Sequence, residues 1–168
     1  SLEGIHRARE EKLNPRKDLH RNAVFATSSI SLKEVKELLV DRLIDKRRIL
    51  PSVRRWVRKR VKGQGTEIDK LRALYQGVID HVMDSDLNVF TSSVAQTLKH
   101  RAGSRSLVLQ AACAIVGIQC DLVLLEPRYA EDPEGKEPPD VNRFFYPVIR
   151  AKLSNGDIWL DPNRSHAP

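Results

Sequence analysis

From Ser104 to Val116 the chain is apolar on nearly every side of a helix, with Leu107, Val108, Leu109, Ala111, Ala112, Cys113, Ala114 and Ile115 spread around it. A helix of that kind has no face for water and has to be surrounded. Gly103 supplies a tight turn before it, and Gly117 is placed as the glycine that ends it. Gln119 to Leu125 follows at once as an apolar run of strand length, consistent with a central position in a sheet. A buried helix delivering directly into a buried strand is the frame on which everything else must be hung.

Three amphipathic helices precede it. Ser31-Leu-Lys-Glu34 forms a capping box, and the helix it opens runs to about Arg48 with Val35, Leu38, Leu39, Leu43 and Ile44 on one face. Leu50-Pro51 breaks it and starts a second helix to about Lys62, whose stripe is Val53, Trp56, Val57 and Val61. Thr66 caps a third, with Ile68, Leu71, Tyr75, Val78 and Val82 in helical repeat. Residues 84–90 read as a short connection, Ser92 or Ser93 opens a brief helix to His100, and residues 101–103 make a turn. Beyond Leu125, residues 127–142 read as a long loop. Strands over 144–153 and 157–160 then form a hairpin across Asn155-Gly156, a type I′ turn signal. Residues 1–30 are polar and read as a linker or arm, leaving 31–168 as the folded domain.

The bulk properties bound the function. A chain of 168 residues, 40% hydrophobic and 30% charged, is expected to be one globular domain. No apolar run approaches the roughly 20 residues of a membrane helix. Met83 is the only methionine, so a fragment or processed product is expected. Cys113 and Cys120 read as small core hydrophobes; a disulfide between them stays open in an oxidising compartment, and no partner at ligand spacing suggests a metal. No cofactor is expected. The net charge of +7 is concentrated: residues 33–62 hold twelve Lys or Arg against four Asp or Glu, a surplus of 8.

The order of buried helix, Gly117-Ile118 turn, strand, and then Phe144…Asn155-Gly156…Trp159-Leu-Asp-Pro162 resembles the core of the bacterial transglutaminase-like superfamily, relatives of papain-type cysteine proteases. The resemblance covers about residues 35 to 162. It implies an α+β fold, with a helical half and its buried central helix packed on an antiparallel sheet. In that family a Cys at the helix N-terminus is the nucleophile, and the next two strands carry a His and an Asp. The helix dipole and the imidazole lower the thiol pKa, and the Asp fixes the imidazole tautomer.

Here the nucleophile position maps to Arg105 by the Gly-X-Cys turn, or near Ala102 by counting back from Gly117-Ile118. Neither is a cysteine, and Cys113 lies about two turns inside the helix. Tyr146 or Pro147 stands where the His belongs, and no histidine occurs between His100 and His166. Asp161 matches the acid and can cap a turn or bind Arg105. The expectation is therefore a catalytically degenerate member, with a vestigial site of Ser104, Arg105, Ser106, Tyr146, Pro147 and Asp161. It would act as a binding or scaffolding module for a protein, peptide or glycan, or for other domains of its own chain.

Two alternatives stay open. One is a hydrolase or acyl transferase in which Ser104 or Ser106 replaces the thiol, although a hydroxyl there needs an aligned base and otherwise serves as an N-cap. The other is binding to an anionic surface through Arg54, Arg55, Arg58 and Lys59 on the second helix. Nucleic acid is not the expected partner, since no recognised motif accompanies them. Arg101 and Arg105 beside the free helix amides suit a carboxylate or phosphate, unless Arg105 closes the site on Asp161. The resemblance implies a periplasmic or extracellular setting, with a cytoplasmic one as the alternative.

Overall fold

The computed structural model describes residues 32–125 and 146–163. The arm at 1–30, Ser31 of the capping box, the loop at 127–142 and Phe144 lie outside the described residues. In chain order the elements are α1 (Leu32–Lys46), α2 (Pro51–Arg60), α3 (Glu67–His81), β1 (Asp84–Ser85), α4 (Val94–His100), β2 (Ala102–Gly103), α5 (Arg105–Ile115), β3 (Gln119–Leu125), β4 (Tyr146–Leu153) and β5 (Gly156–Leu160). The fold is α+β, with helices packed on a three-stranded antiparallel sheet of order β3-β4-β5.

Helix α5 is the hub, touching α2, α3, α4, β3 and β4. Leu107, Val108, Leu109, Ala111, Ala112 and Cys113 are all buried, but Ala114 is exposed and Ile115 only half-buried, so the last turn of the helix does present a face to water, contrary to the expectation. Its ends are fixed by local chemistry. Ser104 accepts the Leu107 amide at 3.3 Å as N-cap. At the other end Ile118 N donates to Cys113 O (3.0 Å) and Gly117 N to Ala114 O (3.4 Å), with Gly117 at φ 81°. That pair of bonds is the Schellman arrangement, which needs a residue tolerant of positive φ. Around the hub, Val53 and Val57 of α2 and Leu71, Leu74 and Val78 of α3 complete one core with Ile149 and Ala151 of β4.

Four further expectations need correction. The stretch taken as connection and turn pairs in parallel, Asp84 with Ala102 and Ser85 with Gly103, because residues 82–86 run alongside the entry to α5. Among the described side chains of the α1 stripe, Leu43 is buried in the core, whereas Leu38 and Ile44 are 53% and 58% exposed. A stripe records which face is suited to burial, not how much of it is covered.

Strand β3 is an edge of the sheet among the described residues, and β4 is central. Cys120, Leu122 and Leu124 pack on the core, while Asp121 lies on the opposite face opposite Arg150. An apolar run whose alternate residues are covered on one face does not require strands on both sides. The hairpin pairs Leu153 with Gly156, so Ser154 and Asn155 form its loop. Neither has positive φ, which falls instead on Gly156 (φ 122°), so the turn is not type I′. One residue of register separates the two readings.

Candidate functional site

The N-terminus of α5, the start of β4 and the segment after β5 converge. Ser104 sets the first turn of α5 through its cap, which leaves Arg105 and Ser106 facing β4 and residues 161–163. Ser106 is fully buried and its Oγ donates to the Pro147 carbonyl at 3.1 Å. Asn163 Nδ2 donates to the same carbonyl (2.8 Å) and toward Ser106 Oγ (3.3 Å), and Ser85 Oγ donates to Asn163 Oδ1 (3.1 Å).

Asp161 is the hub of the second half. Its Oδ2 accepts the Tyr146 hydroxyl at 2.7 Å, and its Oδ1 accepts the Asn163 amide at 3.0 Å. The latter is an Asx turn, one way an Asp after a strand shapes the chain. Tyr75, across from α3, donates its hydroxyl to the Asp161 carbonyl at 3.0 Å. Burial raises the Tyr75 phenol above its ordinary 10.0, the Asp161 carboxylate adds to this, and the Arg105 guanidinium opposes it.

Arg105 is 7% exposed. Its Nε donates to Val82 O (2.9 Å), Nη1 to Pro162 O (3.3 Å) and Nη2 to Met83 O (3.5 Å). The guanidinium thus stitches the end of α3 to the chain beyond β5 through backbone oxygens. Arg101 stands outside this cluster. It is exposed in the left-handed region (φ 60°) at the end of α4, with Nε on His81 O at 3.1 Å.

The chemistry open to this arrangement follows from where the protons point. A serine nucleophile needs a base to take its proton, and the acceptor beside Ser106 is a peptide oxygen, far too weak for that. Ser104 Oγ is occupied as a cap. Of the described histidines, His81 places Nε2 2.9 Å from Leu98 O, with its ring 5.6 Å from Trp56, and His100 is exposed on the last turn of α4. Cys113 is buried within α5, away from its N-terminus. Among the described residues no group of three or more His, Cys, Asp or Glu is placed to hold a metal.

All six residues of the expected vestigial site therefore belong to one neighbourhood, joined by Asn163, Tyr75 and Ser85, which the sequence reading passed over. Asp161-Pro-Asn163 was the available signal, since an Asx turn puts the Asn side chain back over the strand it follows. The basic residues Arg54, Arg55, Arg58 and Lys59 lie elsewhere, all exposed on the outer face of α2. Arg60 differs from them: its guanidinium lies 5.3 Å over the Trp56 ring and its stem runs against Gly77.

No protein-family model matches the chain, and no curated protein matches it significantly. Among solved structures, the chain is similar to a putative protease from Parabacteroides distasonis, at a TM-score of 0.59 and 14% identity over 81% of this chain. The match spans only 26% of that protein's length, about a quarter, and at this identity it speaks to the fold alone.

Proposed function

We propose that this chain is a catalytically inert transglutaminase-like domain that serves a larger, exported protein as a binding or scaffolding module. The observation that carries the reading is the internal satisfaction of the convergent cluster. Its hydroxyls, its carboxylate and its guanidinium are spent on one another and on the main chain, and among the described residues neither thiol nor imidazole joins them. Such a cluster holds elements together and leaves nothing primed to attack a carbonyl. The partner class is a protein, peptide or glycan. The exposed Arg101 beside the cluster is better placed than the buried Arg105 to meet an acidic group on it.

The inert half is tested by treating the folded protein with a fluorophosphonate and mapping any labelled serine. Neither Ser104 nor Ser106 is expected to react, and any turnover of ester or amide probes should be unchanged in a Ser104→Ala, Ser106→Ala double variant. Labelling of either serine, or turnover lost in the double variant, would overturn the reading. The binding half is tested on an immobilised panel of peptides and glycans. Retention weakened by Arg101→Glu is expected, and no retention on any member counts against it.

A second reading rests on the outward row of Arg54, Arg55, Arg58 and Lys59. Binding to an anionic surface through it would fall steeply with salt and vanish when the four are neutralised together. Salt-insensitive binding excludes it.

A further inference from the structure

On the side of α5 away from the polar cluster, its C-terminal end and the start of β3 border a cavity of about 500 Å³, lined by Arg47, Ile49, Gln110, Gly117, Ile118 and Cys120 among others. Three features make it more than a surface dent. Arg47, from the link between α1 and α2, brings a cation to it. Gln110 gives Nε2 to Cys120 O at 3.3 Å, while its Oε1 is buried with no partner of its own, an acceptor kept out of water and unused. Cys120 is partly exposed on the cavity wall, and the fully buried Cys113 thiol is its neighbour. The Schellman turn around Gly117 folds the end of α5 back toward the start of β3.

We propose that this cavity is a thiol–disulfide exchange site for a small anionic disulfide, with Cys120 as the capturing thiol and Cys113 as the resolving one. In the first step the Cys120 thiolate attacks one sulfur of the incoming disulfide. That S–S bond breaks, a Cys120 mixed disulfide forms, and the released thiolate takes up a proton. In the second step Cys113 loses its proton and attacks the Cys120 sulfur, expelling the second small thiol. The protein loses two electrons and two protons to become a Cys113–Cys120 disulfide, and the small disulfide is reduced to two thiols.

The order of the steps follows from the surroundings. The neighbouring Cys113 thiol favours charge on Cys120, holding it below the usual range against the effect of burial and of Asp121; the same interaction, with burial, pushes the Cys113 thiol far up. Arg47 supplies the attraction for a carboxylate on the ligand. The inference stands apart from the inert-domain reading, because it uses the opposite end of α5 and none of the polar cluster.

The test follows intact mass with time after adding oxidised glutathione, with hydroxyethyl disulfide as the neutral control. In the unaltered protein one glutathione should appear on Cys120 and then leave, ending in a product lighter by two hydrogens. Cys113→Ala should stop at the mixed disulfide. Before any exchange, alkylation should modify Cys120 at least about tenfold faster than Cys113. Arg47→Gln should slow capture of oxidised glutathione about threefold or more while leaving hydroxyethyl disulfide unaffected.

Should Cys113→Ala not fold, the rise and decay of the adduct on the unaltered protein decides alone. An adduct that persists there overturns the resolving role. Failure of the folded protein to react, while both thiols react in urea, overturns the site. Equal slowing of both disulfides by Arg47→Gln overturns the anion preference.

Discussion

Arg105 is a cation almost wholly out of water whose recorded hydrogen bonds end on main-chain oxygens, and that makes it a brace between segments far apart in sequence. A lysine carries one point of charge where three carbonyls require a fork. Arg105→Lys is therefore expected to lower stability by about 2–3 kcal/mol, read as a shift in the urea midpoint. Gly103 is constrained twice over: it sits at φ 130°, and a Cβ there would come within 2.6 Å of Thr97 Oγ1. Gly103→Ala should cost at least about 2 kcal/mol by thermal melting, and Gly63→Ala, with open space around it, less.

Tyr75 yields a prediction with a sign. Its phenol is raised in the fold, so the fold favours the protonated form; the contribution is intact below pH 10.0 and is lost as pH rises through the higher folded value. The stability difference between Tyr75→Phe and the unaltered protein should therefore shrink on alkaline titration, and a difference constant to high pH would contradict the assignment. Little of this was visible in the sequence. Arg105 carries no periodicity signal, and Tyr75 reads as one more apolar position, because hydrogen bonds to distant backbone leave no local pattern.

At the scale of elements, what can be read from sequence is what depends on neighbours in the chain. The caps at Ser93, Ser104 and Thr66, Pro51 at a helix start and the glycine after α5 are all local chemistry, and all are where expected. Ser104→Ala is accordingly predicted to cost about 1 kcal/mol. Removing core from α5 is a larger matter: Leu109→Ala, at a fully buried position, should cost about 2–5 kcal/mol.

What misleads is anything set by a partner element. The position of β3 within the sheet, the exposure of Leu38 and the parallel pair at 84–85 are decided by packing across the chain, and composition within each segment is silent on it. Helix α2 shows both sides of this. Its buried stripe was legible, yet Arg60, alike in charge to its neighbours, is held over Trp56 and Gly77. Reversing Arg60 would mix lost packing with lost charge, so tests of the basic face belong to Arg54, Arg55, Arg58 and Lys59.

Seen whole, the molecule is arranged around the two ends of one helix. One end is sealed by hydroxyls, a carboxylate and a guanidinium, and the other borders a cavity lined by the Cys120 thiol, with Cys113 buried in the core. The sequence made the convergence at the first end legible through Trp159-Leu-Asp-Pro162 and the glycines flanking α5, whereas the thiol pair needed the turn at Gly117 in three dimensions. No described helix is long and apolar enough to cross a membrane.

The short parallel pairing of β1 and β2 is flanked by Met83 N on Arg101 O (2.9 Å) and Asp86 N on Gly103 O (3.1 Å), directly beside the carbonyls that Arg105 grips. These amides and that side chain ought to open as a unit. In deuterium labelling, Arg105→Lys should quicken exchange at Met83 and Asp86 in step while the β3–β4 ladder keeps its pace. Residues 84 to 103 would then come loose from the rest like a page from a binding, before the book itself falls apart.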